Sequence, residues 1–220
     1  MEPPEWTDRL ERRMGDWAIP HVVRGLVLLN ALAYLMELGS PGFTRALHLE
    51  PGLILAGEFW RAVTFLFVPS SGTGMFGPLF LLIFFLFLWF VGDALESAWG
   101  SFKLTLYLLL GLVSINVMSF VTGTTGYNLF FLQSFLFCFA SLNPNQEMML
   151  FPLPIPIKVK WLALFFGAIL LITFLMQPDL RALIVASLLP CALYILPAWW
   201  GSIQSTREAR KRRKRFEEGE

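Results

Sequence analysis

Long apolar runs separated by short polar breaks set the rhythm of this chain. From Phe76 to Val91 almost every position is apolar before Gly92, Asp93 and Glu96 close the run, and about 17 such residues suffice to cross a bilayer core as a helix. Similar runs extend from Val22 to Leu38 behind Pro20, from Lys103 to Val121, from Asn128 to Leu142, from Trp161 to Met176 and from Leu180 to Trp200. The breaks are rich in residues that stop helices. Thr122-Gly-Thr-Thr-Gly-Tyr127 reads as a tight turn, Asn143-Pro-Asn145 ends the fourth run, and Gln177-Pro-Asp179 opens the sixth. Pro152, Pro154 and Pro156 keep the segment before the fifth run extended. The pattern predicts an all-α integral membrane protein with six transmembrane helices.

Polar positions inside the runs carry further information. Asn30 is costly in lipid unless it bonds a neighbouring helix, so it is expected to face protein. The short fourth run holds Gln133, Ser134, Cys138 and Ser141, which argues for burial within the bundle. The sixth run offers small residues at a spacing of four, Ala182 with Ala186 and Ser187 with Cys191. Cys138 and Cys191 fall at similar depth, so the fourth and sixth helices are expected to pack along Ser134, Cys138, Ala182 and Ala186. Between the first two runs lies a long segment rich in Gly and Pro, with an extended-looking patch at Leu53 to Leu55. Structureless loops of such length usually have a job.

Outside the runs the character changes. Trp6, Leu10, Met14 and Trp17 recur at helical spacing opposite Arg9, Arg12 and Arg13, describing a short amphipathic helix on the membrane surface or against a loop. Glu2, Glu5, Asp8, Glu11 and Asp16 interrupt any basic n-region, so a cleavable signal peptide is not expected. The chain therefore divides into an amphipathic segment over residues 1–20, a membrane domain over 21–202 and a charged tail over 203–220.

Composition agrees: 56% of the residues are hydrophobic and 15% charged, against about 45–50% apolar and 25% charged for a soluble domain. The charges are polarised. With six spans, Arg9, Arg12, Arg13, Lys103, Lys158, Lys160 and the tail's basic run from Arg207 to Arg215 fall on one side, against Arg45, Arg61 and Arg181 on the other. By the positive-inside rule both termini are cytosolic, in a multi-pass protein of the plasma or inner membrane. The tail then serves as a topology signal and a patch for anionic lipid, and nucleic acid is not an expected partner. The cysteines lack companions for a metal site, and no cofactor is expected.

Two motifs bracket the second run. Gly57-x-x-Trp60-Arg61-x-x-Thr64-x-x-Phe67 precedes it, and Leu88 leads to Gly92-x-x-Leu95-Glu96-x-x-x-Gly100 at its exit. In order and spacing these resemble the rhomboid superfamily. The resemblance implies a six-helix rhomboid-like bundle with a partly embedded loop between helices 1 and 2, shaped either by Arg61 bonding loop carbonyls or with Trp60 and Arg61 as simple interfacial anchors.

Active rhomboids pair a Gly-x-Ser-Gly serine in the fourth helix with a histidine in the sixth. This chain has only His21 and His48, both outside the runs, and the serine slot falls near Leu129. The family's oxyanion-stabilising positions fall at about Phe80 and Phe84, which donate no hydrogen bond. Ser134 and Ser141 lack a base, because Lys103, Lys158 and Lys160 sit at helix ends. The expectation is a catalytically inactive, rhomboid-like pseudoprotease, similar to derlins and inactive rhomboids and of bacterial type. Its partners would be the bilayer and transmembrane segments of client proteins, or its role that of shaping the bilayer. The alternatives are an intramembrane serine protease with an unconventional site and a small transporter. The second lacks the usual mid-membrane charges in spans two to six.

Overall fold

The computed structural model describes residues 4–69, 76–149 and 156–197. Helix α1 (Glu5–Met14) leads through a 3-10 turn at Gly15–Trp17 to α2 (Val22–Gly39). A long connection follows, made of a 3-10 turn at Phe43–Leu47 and two short helices, α3 (Pro51–Leu55) and α4 (Arg61–Thr64). Then come α5 (Gly77–Trp99), α6 (Ser101–Thr122) and α7 (Leu129–Leu142). A hairpin of β1 (Glu147–Met149) and β2 (Pro156–Lys158), with Met148 opposite Ile157, precedes α8 (Val159–Met176) and α9 (Pro178–Pro197).

Helices α2, α5, α6, α8 and α9 are each long and apolar enough to cross a membrane. The fourth run is shorter. With 14 residues, α7 extends about 21 Å at 1.5 Å per residue, against about 30 Å of hydrocarbon. The sequence boundaries hold closely except at the second run, where α5 continues past Val91 to Trp99 and carries Asp93 and Glu96 as helical residues. The patch at Leu53 to Leu55 is helical rather than extended: Pro51 occupies the first turn of α3, where its missing N–H costs nothing. Trp199, Trp200 and the tail lie outside the described residues.

Helix α5 is the hub. It packs against α2, α6 and α7, and Leu88, Val91 and Leu95 are fully buried along it. Two glycines set how closely the helices approach. A Cβ on Gly92 would overlap Val23 of α2, and one on Gly111 of α6 would overlap the ring of Phe131 of α7. Phe131 cannot yield, since it is buried and stacked on Tyr107 at 5.7 Å.

Polar side chains inside the runs bond across the bundle through their donors, while Asn30 Oδ1, Asn116 Oδ1 and Ser187 Oγ are buried without a partner among the described residues. Asn30 is buried and donates through Nδ2 to the carbonyls of Leu26 at 2.9 Å and Leu66 at 3.0 Å. Asn116 likewise reaches from α6 to the carbonyl of Ala62 in α4 at 2.9 Å. Helix α8 is the outlier. It packs against α7, yet Val159 and Leu170 are its only buried residues. Much of its surface is apolar and exposed, as at Leu164, Leu171 and Leu175.

Enlarging either glycine should loosen the bundle. Gly92→Ala and Gly111→Ala are each expected to cost about 1–3 kcal/mol through overpacking, read as a lower melting temperature of the detergent-purified protein. The control Gly25→Ala, at a helical position where a Cβ meets nothing, should not lower it.

Candidate functional site

The Trp-Arg segment closes the loop on itself. Arg61 is buried, and its guanidinium donates from Nε to Glu58 Oε2 at 2.6 Å and from NH1 to the carbonyls of Arg45 at 2.7 Å and His48 at 3.1 Å. Thr64 donates to the carbonyl of Leu47 at 3.2 Å, and the exposed Trp60 donates from its indole to that of Ala46 at 3.3 Å. Trp60, Arg61 and Thr64 thus satisfy four consecutive carbonyls, three at the end of the 3-10 turn and that of His48 just after it. Those acceptors would otherwise be orphans beside an apolar bundle.

The exit of α5 is the second constellation. Glu96 Oε1 accepts the backbone N–H of His21 at 2.8 Å and the hydroxyl of Ser101 at 2.6 Å, joining α5 to the starts of α2 and α6. His21 has a left-handed backbone with φ 54°. Gly100 turns the chain between α5 and α6 at φ 86°, a conformation that favours glycine. Arg24 of α2 grips Asp93 with two bonds of 2.8 and 2.9 Å. The ligand atoms of His21, Asp93 and Glu96 lie within 4.8 Å of one another, but both carboxylates are committed to these bonds. Leu95, between them, is buried in the core. The group ties three helices together.

The third constellation is interior. Tyr107 of α6 meets Ser134 of α7 at 2.5 Å between hydroxyl oxygens, and Cys138 Sγ lies 3.5 Å from the same Tyr107 oxygen. Ser134 also donates to the carbonyl of Phe131 at 2.6 Å. From α9, Tyr194 sets its ring 5.4 Å from that of Tyr107 and donates to the carbonyl of Lys103 at 2.8 Å. Cys191 is buried in the same core cluster. Of the small-residue positions, Ala186 is buried and its carbonyl accepts Ser114 of α6 at 2.8 Å, whereas Ala182 is half-buried. Helix α9 therefore meets α6 through Ala186, while Phe130 of α7, Leu170 of α8 and Ile184 of α9 form a smaller cluster.

An open cavity of about 420 Å³ lies at the start of α7, lined by His48, Val68, Tyr127, Asn128, Phe130 and Leu180 among others. A short antiparallel bridge between Leu49 and Gly126 holds the long loop over this end of the bundle. Asn128 is buried and spends both amide hydrogens on the carbonyls of Leu66 at 2.9 Å and Val68 at 2.8 Å, and its Oδ1 accepts from none of the described residues. His48 Nδ1 lies 3.0 Å from the carbonyl of Thr44 and so must carry the hydrogen, which leaves Nε2 to accept. Burial pushes the His48 pKa below its ordinary value; Glu50 opposes that shift and Arg61 adds to it.

Sequence reasoning did not find Tyr107, Asn128 or the Arg24–Asp93 pair. Tyr107 and Asn128 sit within or against apolar runs, and their partners are more than 25 positions away in the chain. The one signal was polarity inside a run, the criterion that did single out Asn30 and Ser134.

No curated protein and no solved structure matches the chain. Residues 21–200 match the family described as "Eukaryotic integral membrane protein (DUF1751)", a stretch that takes in α2 to α9 and leaves α1 outside. A eukaryotic family gives no support to a bacterial setting. A match over most of the length, on a chain whose described helices include five apolar enough to span a bilayer, fixes the assignment: this is a multi-pass integral membrane protein belonging to the eukaryotic integral membrane protein family DUF1751.

Proposed function

We propose that this protein is a non-catalytic, rhomboid-like membrane scaffold that receives a transmembrane segment of another membrane protein alongside the short helix α7. The observation that carries this reading is the setting of α7. It packs between α5 and α8, and α8 buries only Val159 and Leu170. One side-chain hydrogen bond, Gln133 Nε2 to the carbonyl of Phe166 at 3.2 Å, ties α8 to α7. A helix so lightly held in lipid can exchange its protein contacts for those of an incoming segment, because packing and a few hydrogen bonds are all that drive association there.

The cavity at the start of α7 suits the end of such a segment. A helix N-terminus brings N–H groups without partners, and among the described residues nothing donates to His48 Nε2 or Asn128 Oδ1, which both belong to cavity-lining residues. The clustering of Lys and Arg supports cytosolic termini, with the cavity and the Trp-Arg loop on the opposite side. The rhomboid kinship rests on the paired motifs around α5, whose residues here build the loop clamp and the α5 exit.

Proteolysis is a weaker reading. Ser134 bonds Tyr107 and a backbone carbonyl, and neither His21 nor His48 lies in a spanning interior. Activation of a serine needs a base within hydrogen-bond reach.

Photoreactive residues placed at Leu86 of α5 and Leu171 of α8 should crosslink to polypeptide in the native membrane, and one at Leu35 of α2 should do so far less. Capture of lipid alone at all three positions would leave bilayer shaping as the better account. A labelled fluorophosphonate should not modify the protein, and Ser134→Ala should cost about 1–3 kcal/mol of stability, because the buried Tyr107 hydroxyl loses this partner. Covalent labelling that disappears in Ser134→Ala would restore the protease.

A further inference from the structure

The sequence of α1 alternates acidic and basic residues and reads as electrically balanced, but the fold separates the two signs. Lys103, near the start of α6, places Nζ 2.6 Å from Asp8 and 3.8 Å from Glu11, with its own side chain only 14% exposed. Trp6 sets its ring edge-on to Tyr194 at 6.1 Å, and Thr7 is fully buried. One side of α1 is thereby fastened to the ends of α6 and α9, and its half-buried carboxylates are neutralised against the bundle. Arg9, Arg12 and Arg13 are left exposed, and among the described residues none of them pairs with a carboxylate. Together with Leu10 they line an open groove of about 390 Å³.

The level of this face follows from what comes next. Ile19 donates its backbone N–H to Thr105 Oγ1 at 3.1 Å, pinning the connection beside the first turns of α6, and α2 begins at Val22. Both are membrane-crossing helices, so α1 and the turn after it sit where their ends leave the hydrocarbon. Trp17 at 70% and Ile19 at 54% are exposed there, in keeping with the preference of Trp for the membrane–water boundary. A guanidinium groove on the helix that leads into the exposed Trp17 and Ile19 has the two features of an interfacial lipid site, cationic donors for a headgroup and apolar side chains nearby in sequence for its acyl chains.

We infer that Arg9, Arg12 and Arg13 form a binding face for the headgroup of an anionic phospholipid, presented because Lys103 holds the acidic side of α1 inward. Guanidinium forks bind phosphate oxygens with two parallel hydrogen bonds, and three of them converge on one groove. The inference does not depend on the scaffold reading, since it concerns the opposite end of the bundle from the cavity.

The test uses the full chain purified in detergent, titrated with dioctanoyl phosphatidylserine and, for comparison, dioctanoyl phosphatidylcholine, with bound lipid counted by native mass spectrometry. The serine lipid should bind more tightly, and raised salt should weaken it. At about fivefold per basic residue, Arg9→Gln/Arg12→Gln/Arg13→Gln should lose about 100-fold in affinity with an unchanged melting temperature. Should the triple variant fold poorly, the single Arg12→Gln change should still show its fivefold loss. A separate variant with Arg210, Arg212 and Arg213 of the tail changed to Gln should keep the α1-dependent binding. Equal affinity for both lipids, or a loss confined to the tail variant, would overturn the assignment.

Discussion

The close crossing of α5 with α2 is the constraint on which the bundle depends. Gly92 lets Val23 sit against the α5 backbone, and at that short separation Arg24 reaches both oxygens of Asp93 through Nε and NH2. One turn later Glu96 takes the N–H of His21 and the hydroxyl of Ser101. A carboxylate accepting two hydrogen bonds at the junction of three helices fixes where α2 begins and where α6 departs. In lipid, where apolar surfaces gain little from meeting each other, such close approach and directed bonding replace the hydrophobic effect as the source of a defined arrangement.

The long loop applies the same rule to irregular backbone. Non-helical chain beside a bilayer must find partners for its carbonyls, and Trp60, Arg61 and Thr64 supply them from a single turn of helix. Asn30, Asn116 and Asn128 do so from α2, α6 and the start of α7, each through amide hydrogens given to carbonyls of the connection between α2 and α5. The described part of the connection is thus held both by its own side chains and by amides from the helices around it.

The apolar runs were legible because a membrane helix must be apolar over nearly its full length, so the boundaries of α2, α6, α7 and α8 could be read within a few residues. What hydropathy could not give were pairings. Asp93 and Glu96 looked like the end of a span, and only the partners Arg24, His21 and Ser101 explain why α5 can carry them onward to Trp99. The patch at Leu53 to Leu55 looked extended and is helical, in a helix that begins at Pro51. The β1–β2 hairpin is too short for period to reveal, and Tyr107 reads as one more apolar position until Ser134 is placed beside it. Of the site as a whole, the motif residues were visible as types, and their roles became visible only as contacts.

The light attachment of α8 has a thermodynamic corollary. Because its apolar face is as content with acyl chains as with α7, its position is set by a balance between van der Waals contact with protein and solvation by lipid. Lateral pressure and chain order in the surrounding leaflets enter that balance directly. The tilt of this one helix would then vary with the physical state of the membrane, while the knot of charges at the far end of α5 keeps α2, α5 and α6 in register.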